Sequence, residues 1–431
     1  MKISVSGRAR HWGVRLFGFG SAQGGIQALG MLAGLLAARL LTIDAYARYA
    51  LAIAVVTAVT VVGDSGLGSQ VVAIAGRYMP DTSRISGIYG LARSYRTWIS
   101  ATLSVVSAPI LVTLLLRNQA SVAEASAIAA LVIATVFLSL NGSLVRSVLQ
   151  LDYQFRSIQI SGLAAAMVRL AGSALLVPLA VLGALLPTLA NAVAAGVQWI
   201  WMRKTVVERF DLGSGSISAD DRTEMRRALR RLLPLNVVLV AQSQGASLLL
   251  GALGATSALA SVTAISRYGL LFAFVSTVAV SVLAPALART NSGHRAVVRR
   301  YALVVGAISL TTMAMLGLIW ALRDPLLALL GTQYTGLSRE FLIVSVGSAV
   351  AATAAGISGM NLARGWTGGS WMMAPTTAIW FAWGFTMLDL HSTTGAAVLM
   401  ATSALPSLAT AVAQAAFGLK RPTRIAASDP Q

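Results

Sequence analysis

Ala125-Ser126-Ala127-Ile128-Ala129-Ala130-Leu131-Val132-Ile133-Ala134-Thr135-Val136-Phe137-Leu138-Ser139-Leu140-Asn141-Gly142-Ser143-Leu144-Val145 runs from Glu124 to Arg146 without one ionisable side chain. A helix needs about 20 consecutive apolar residues to cross the hydrocarbon layer, and this run satisfies that length alone. A soluble helix would interleave charge every few residues to keep one face wet. Runs of the same kind recur along the 431 residues, of which 56% are hydrophobic and only 11% charged. Soluble domains carry charge on about a quarter of their residues, so the solvent that fits this chain is a bilayer.

Apolar stretches of spanning length fall near 16–38, 46–76, 98–116, 126–146, 158–182, 185–203, 232–252, 259–287, 301–322, 341–363, 371–388 and 394–418. The expected fold is therefore an all-α integral membrane protein of about twelve transmembrane helices. The run from Ile160 to Trp201 is too long for one helix, and Gly183 with Pro187 beyond it suits a tight hairpin. The region 232–287 divides at Gly251, Gly254 and Ser257. No cleavable leader is expected, because the first apolar run begins near Leu16, exceeds a signal h-region in length and leads into further spans.

The 33 Lys and Arg outnumber the 14 Asp and Glu, for a net charge of +19. In a soluble chain that excess would suggest nucleic acid, but here its distribution decides otherwise. With the N-terminus placed in the cytoplasm, alternate loops collect almost all the basic residues. Only Arg39, Arg48, Arg117, Arg323 and Arg339 fall on the other side, and Arg169 and Arg267 lie within spans. Such asymmetry is what the positive-inside rule demands, so both termini are expected to be cytoplasmic, with anionic headgroups as neighbours and no nucleic-acid partner. The segment Arg203–Arg231 holds Gly213-Ser214-Gly215-Ser216 and a charged run from Asp220, and reads as a linker ending in an amphipathic helix. It separates an N-terminal six-helix lobe, 1–210, from a C-terminal lobe, 232–431, with 211–231 between them. Two halves that both start inside imply a parallel repeat about an axis along the membrane normal.

Catalytic and cofactor chemistry is poorly provided for. Without cysteine there is no disulfide, thiolate metal site or thiol nucleophile, and His11, His294 and His391 are scattered. The outside loops offer Asp44, Glu124, Asp324, Glu340 and Asp389; the Asp389/His391 pair reads as loop decoration. No Walker-type glycine loop occurs. The chain is expected not to be an enzyme and to need neither cofactor nor metal.

Ionisable groups at membrane depth are costly unless they face a cavity or a partner. Arg169 falls near the midplane of the fifth candidate span, Arg267 lies deep in the eighth, and Asp64 interrupts the second within Val62-Gly63-Asp64-Ser65-Gly66-Leu67-Gly68. Arg39 and Arg146 lie nearer span ends, where snorkelling also accounts for them. Asp64 is the acid available to these arginines, and two deep cations against one anion favour a solvated cationic cavity over a closed ion-pair network. Arginine offers a planar fork of donors that matches phosphate oxygens. Gln70, Asn141, Asn191, Gln198, Asn236, Gln242, Gln244 and Asn361 add polar sites, for which interhelical hydrogen bonding is the ordinary role.

These features resemble a known family. Ala38-Arg39-Leu40-Leu41-Thr42-Ile43-Asp44-Ala45-Tyr46-Ala47-Arg48-Tyr49-Ala50-Leu51 resembles the first-loop signature of the Wzx-type polysaccharide flippases in the multidrug/oligosaccharidyl-lipid/polysaccharide (MOP) exporter superfamily. Gly63-Asp64-Ser65-Gly66-Leu67 is similar to their second-span motif, Leu149–Arg156 to the stretch joining spans four and five, and Gly331-Thr332-Gln333-Tyr334 to the element after the ninth. The chain departs from the pattern at Ala241-Gln242-Ser243-Gln244-Gly245, where an Arg-Asp pair is common, and at Ala45 and Ala47, where Gly or Glu is usual. The resemblance implies a MATE-like bundle of two six-helix lobes that moves an undecaprenyl-pyrophosphate-linked oligosaccharide across a bacterial inner membrane. The candidate substrate contacts among the polar and charged residues are Arg39, Arg146, Arg169, Arg267, Gln242 and Gln244; the resemblance adds proton or sodium coupling, with Asp64 as the candidate, and polysaccharide polymerase and chain-length proteins as partners. A drug or metabolite antiporter of the same superfamily, a membrane glycan polymerase or ligase, and a non-catalytic scaffold remain as alternatives.

Overall fold

The structure, a computed structural model, describes the backbone of residues 5–79, 81–208, 210, 215, 217–288 and 294–420, with side chains from residue 23 onward except 281, 282, 285, 286 and 288. Expectations resting on Lys2, Arg209, Arg289, Arg421 and Arg424, on the side chains of Arg8, Arg10 and Arg15, and on Gly213, Ser214 and Ser216 lie outside the described residues.

Every regular element among the described residues is helical. The α-helices are α1 (Val5–Leu40), α2 (Ile43–Asp64), α3 (Leu67–Ala75), α4 (Thr82–Arg117), α5 (Val122–Leu151), α6 (Phe155–Ala174), α7 (Leu185–Val207) and α8 (Ala219–Ala252), followed by α9 (Thr256–Ser266), α10 (Gly269–Ala288), α11 (His294–Ala321), α12 (Arg323–Leu330), α13 (Ser338–Ala363), α14 (Met373–Met387), α15 (Thr393–Thr402) and α16 (Leu405–Lys420). Helix starts follow local chemistry. The side-chain oxygens of Thr42, Asp81, Ser121, Ser218 and Ser392 each accept a backbone N–H three residues on, satisfying one of the donors that a helix start leaves open.

Eight helical segments among the described residues are long and apolar enough to cross a bilayer, or nine when α9 and α10, bent by 42°, count as one span. Each of the twelve stretches read from sequence coincides with a helix or a helix pair; the three beyond these nine are α1, α6 and α14. Helix α6 carries Arg156 and Arg169, and α14 has 15 residues, so both are marginal by composition or length. Bands of large apolar side chains stay exposed, among them Val105, Val106 and Ile110 on α4 and Leu303, Leu310 and Met313 on α11. In water such bands would be a liability; against lipid they are the expected surface. The chain is a multi-pass membrane protein.

Two differences from the sequence reading affect the site. Helix α4 starts at Thr82, not near residue 98, so Arg84, Arg93 and Arg96 belong to it rather than to a loop. Helix α8 runs unbroken from Ala219 through Pro234 to Ala252, so the charged amphipathic segment forms the first turns of the seventh span.

The chain divides into two compact units. The first, Ser21–Ala264, includes α8, which packs on α2 and α4. Its core joins Leu67, Val71 and Ile74 of α3 with Ile85 and Ile88 of α4, Leu144 and Val148 of α5, Met202 of α7 and Met225 of α8. In the second unit, Met1–Gly20 with Ile265–Gln431, the residues Tyr301, Ile308, Ile357, Met360 and Ala411 share a core in which Asn361 is 1% exposed. Asn361 accepts from Tyr301 Oη at 2.8 Å and donates to the Ala411 carbonyl at 2.8 Å, the interhelical role expected of such residues.

Candidate functional site

Asp64 is the last residue of α2, and the chain breaks there because Ser65 (φ 39°) and Gly66 (φ 74°) both take left-handed backbone conformations. Glycine adopts this geometry without a Cβ penalty, whereas Ser65 adopts it against its intrinsic preference. Ser65 Oγ turns back to the Val62 carbonyl. Gly68, the second residue of α3, lies so close to α5 that a Cβ there would sit 2.7 Å from Ser147 Oγ. The break thus sets the Asp64 carboxylate beside α4 and α5.

There it meets Arg96. The Arg96 side chain is 2% exposed and that of Asp64 36%, and Nη2 of the arginine bonds Oδ1 of the acid. Arg96 Nη1 donates to the Leu140 carbonyl at 2.6 Å and to Ser143 Oγ at 3.0 Å; Ser143 Oγ lies 3.2 Å from Asp64 Oδ1. A buried guanidinium is tolerated only when paired and hydrogen-bonded, and these contacts meet that condition.

The exposed side of Asp64 faces a cavity of about 580 Å³ contained in the first unit. Thr60, Ser69, Ser139, Ser143, Arg146, Gln198 and Asn236 supply its polar lining, and Val56, Leu138 and Leu232 are among the apolar residues. Arg146 lies one turn beyond Ser143 on α5. No carboxylate is within ion-pair distance of it among the described residues, although Asp64 lies within electrostatic reach. Among the described residues the cavity therefore holds an acid engaged by Arg96 and one cation, Arg146, without a paired carboxylate.

Of the residues singled out from sequence, the structure brings Asp64, Arg146, Gln198 and Asn236 together at this cavity. Arg39 is exposed in the last turn of α1. Arg169 is half-buried on α6, its Nε without an acceptor, within electrostatic reach of Tyr49. Gln242 is buried and Gln244 half-buried on α8, and neither lines the cavity. Arg267 is half-buried at the α9–α10 bend in the second unit. Asp64 pairs with Arg96, which the span boundary near residue 98 leaves in a loop, rather than with Arg169. A signal was present. Ile85, Ile88, Ala92 and Arg96 follow one helical stripe, whose first three members are core. Among the described residues no group of three or more His, Asp or Glu is placed to hold a metal ion.

The profile of the family described as "Polysaccharide biosynthesis protein" matches residues 36–339, which contain the whole of this site. The chain belongs to that family. Solved structures agree on the fold at low identity. An inward-facing multidrug resistance MATE family transporter of the MOP superfamily aligns with TM-score 0.71 and 14% identity, covering 91% of this chain and 93% of that one. The lipid II flippase MurJ in an inward closed conformation aligns with TM-score 0.73 and 11% identity, covering 92% and 87%. An outward-facing MATE family transporter aligns with TM-score 0.60 and 13% identity, covering 94% and 93%. No curated protein sequence matches the chain significantly. This member of the polysaccharide biosynthesis family thus has the MOP fold, with a cation-bearing cavity within its first unit.

Proposed function

We propose that this protein is a flippase that carries an undecaprenyl-pyrophosphate-linked oligosaccharide across the bacterial inner membrane by alternating access, with both termini cytoplasmic and the lobes divided at the 211–231 segment. The observation that carries the reading is Arg146: a cation without a paired carboxylate in a polar cavity where, among the described residues, the one lining carboxylate is already engaged by Arg96. A pyrophosphate crossing an apolar layer needs counter-charge at depth, and a guanidinium supplies it with two parallel hydrogen bonds. Membership of a polysaccharide biosynthesis family and the fold shared with a lipid II flippase support a lipid-linked glycan as cargo. Arg39, Arg169, Arg267, Gln242 and Gln244 are proposed as further contacts along the path. Proton or sodium coupling, and polymerase and chain-length partners, belong to the same proposal.

The antiporter alternative would place a free acid in the cavity to receive cationic cargo, and the Asp64–Arg96 pair speaks against it. The test is a leaflet-resolved assay of a lipid-linked oligosaccharide in vesicles containing the purified protein. Translocation with cargo mass unchanged, abolished by Arg146→Gln at normal protein level, is the expected result. A lengthened or cleaved product would make the protein a polymerase or ligase instead.

A further inference from the structure

Resting on that reading, we infer that Arg96 is a positioning residue for the anion site: by binding Asp64 from behind it keeps that carboxylate off Arg146, leaving the Arg146 guanidinium open to a phosphate or pyrophosphate group. The case begins with the asymmetry of the pair. Arg96 is sealed from the cavity at 2% exposure, whereas Asp64 is more than a third exposed and lines it. Arg96 therefore cannot reach a ligand in the cavity, but the charge it neutralises can.

Two anchors besides Asp64 hold Arg96 in this position, the Leu140 carbonyl at 2.6 Å and Ser143 Oγ at 3.0 Å. Both lie on α5, the helix that carries Arg146 one turn past Ser143. One short stretch of α5 thus fixes the spacing between the acid's partner and the open cation. If Arg96 were lost, Asp64 would remain a carboxylate in a partly desolvated site, and the cation on the same cavity wall is Arg146. An uncompensated charge in such surroundings recruits an opposite charge or takes up a proton, and the neighbouring guanidinium is the ready partner. Arg146 would then be masked by an internal carboxylate competing with the ligand's oxygens for the same donors. Nothing in this needs Arg96 or Asp64 to touch cargo.

The test uses the full chain in lipid nanodiscs with inorganic pyrophosphate as the probe, binding read by equilibrium dialysis and folding by thermal unfolding. Arg96→Gln should weaken pyrophosphate binding about ten-fold or more, while Asp64→Asn should bind at least as well as the parent. The double variant D64N/R96Q removes both the mask and its restraint, and should return binding to within about three-fold of the parent. That rescue separates positioning from general structural support, which a second substitution would worsen. Arg96→Gln binding like the parent, or a folded double variant without recovery, would overturn the inference. Should R96Q alone fail to fold, Asp64→Asn and the double variant still decide, because a ten-fold loss in either contradicts the masking role. Arg146→Gln separates the two levels: parent-like binding by it sinks the functional reading, whereas its loss of binding beside a fully active Arg96→Gln sinks only the role of Arg96.

Discussion

Thr256 Oγ1 donates to Asn118 Oδ1 at 2.8 Å, joining the start of α9 to the end of α4 through an asparagine with no solvent exposure. The amide of Asn118 donates in turn to the carbonyls of Leu114 and Gly251, each at 2.8 Å, and the adjacent Arg117 donates to the Ala252 carbonyl at 2.6 Å. Carbonyls at the end of a helix have no partner within it, so α4 serves as the cap for α8. Arg48 closes the cluster on its other side, pairing with Glu124 at 3.0 Å and donating to the Gln119 carbonyl at 3.3 Å. Replacing Asn118 with Ala should cost about 1–3 kcal/mol, because the Gly251 carbonyl loses its side-chain donor and the Thr256 hydroxyl keeps only the longer 3.3 Å contact with the Gly254 carbonyl. Thr256→Val should cost less, since it removes one hydroxyl and retains the volume. Thermal or denaturant unfolding in detergent checks both, and equal losses would show that the asparagine does not organise the cluster.

Helix approach in the second unit gives a sharper contrast between two glycines. A Cβ on Gly347 of α13 would overlap Ala401 Cα of α15 and come within 2.7 Å of its carbonyl oxygen, and backbone cannot move aside as a side chain tip can. On α11, Gly317 has open space where its Cβ would be. Gly347→Ala should therefore destabilise by about 1–3 kcal/mol through overpacking. Gly317→Ala should be neutral or raise the melting temperature slightly, since Ala is the better helix former. Melting temperatures of the two variants measured side by side decide the matter.

The all-helical membrane architecture is legible in the chain because most of the apolar runs are long enough for a bilayer to enforce the helix, whatever the run packs against. The site was only half legible, for a physical reason. Asp64 and Arg146 stand out as charges in or beside apolar runs, but pairing depends on which helices lie side by side. Counting Arg96 with a loop followed from the charged stretch before residue 98. The helix instead starts at Thr82, and its Arg96 reaches Asp64 at the α2–α3 break. The Ser65-Gly66 break is suggested by the glycines around Asp64, but which way it turns the carboxylate is a tertiary outcome. Arg169 and Arg267 are comparable in depth along their spans, yet they belong to different compact units.

Membrane orientation can be tested cleanly because the parent has no cysteine to confuse labelling. Ala123, exposed in the first turn of α5, and Thr223, exposed in the second turn of α8, lie on opposite sides in the arrangement argued from loop charge. A membrane-impermeant maleimide added to intact spheroplasts should label Ala123→Cys, and should reach Thr223→Cys only after the membrane is opened. The reverse pattern would invert the proposed direction of every helix.

Gly66 links backbone strain to the shape of the cavity. Its φ of 74° is one that an alanine adopts at a cost of about 1–2 kcal/mol. A Cβ at this position would also stand 2.5 Å from Leu232 Cδ1, and Leu232, like Gly66, lines the cavity. Gly66→Ala therefore carries two separable costs: the backbone conformation, and the displacement of a leucine toward the space that Arg146 and Asp64 share. Truncating the leucine removes only the second. The double variant Gly66→Ala with Leu232→Ala should regain glycan export lost in Gly66→Ala while remaining less stable than Leu232→Ala alone, the residual deficit being the left-handed backbone. Export scored against melting temperature across the four proteins resolves the cycle. If export tracked stability throughout, the cavity-shape part of the argument would fall, and Gly66 would matter only as a turn residue.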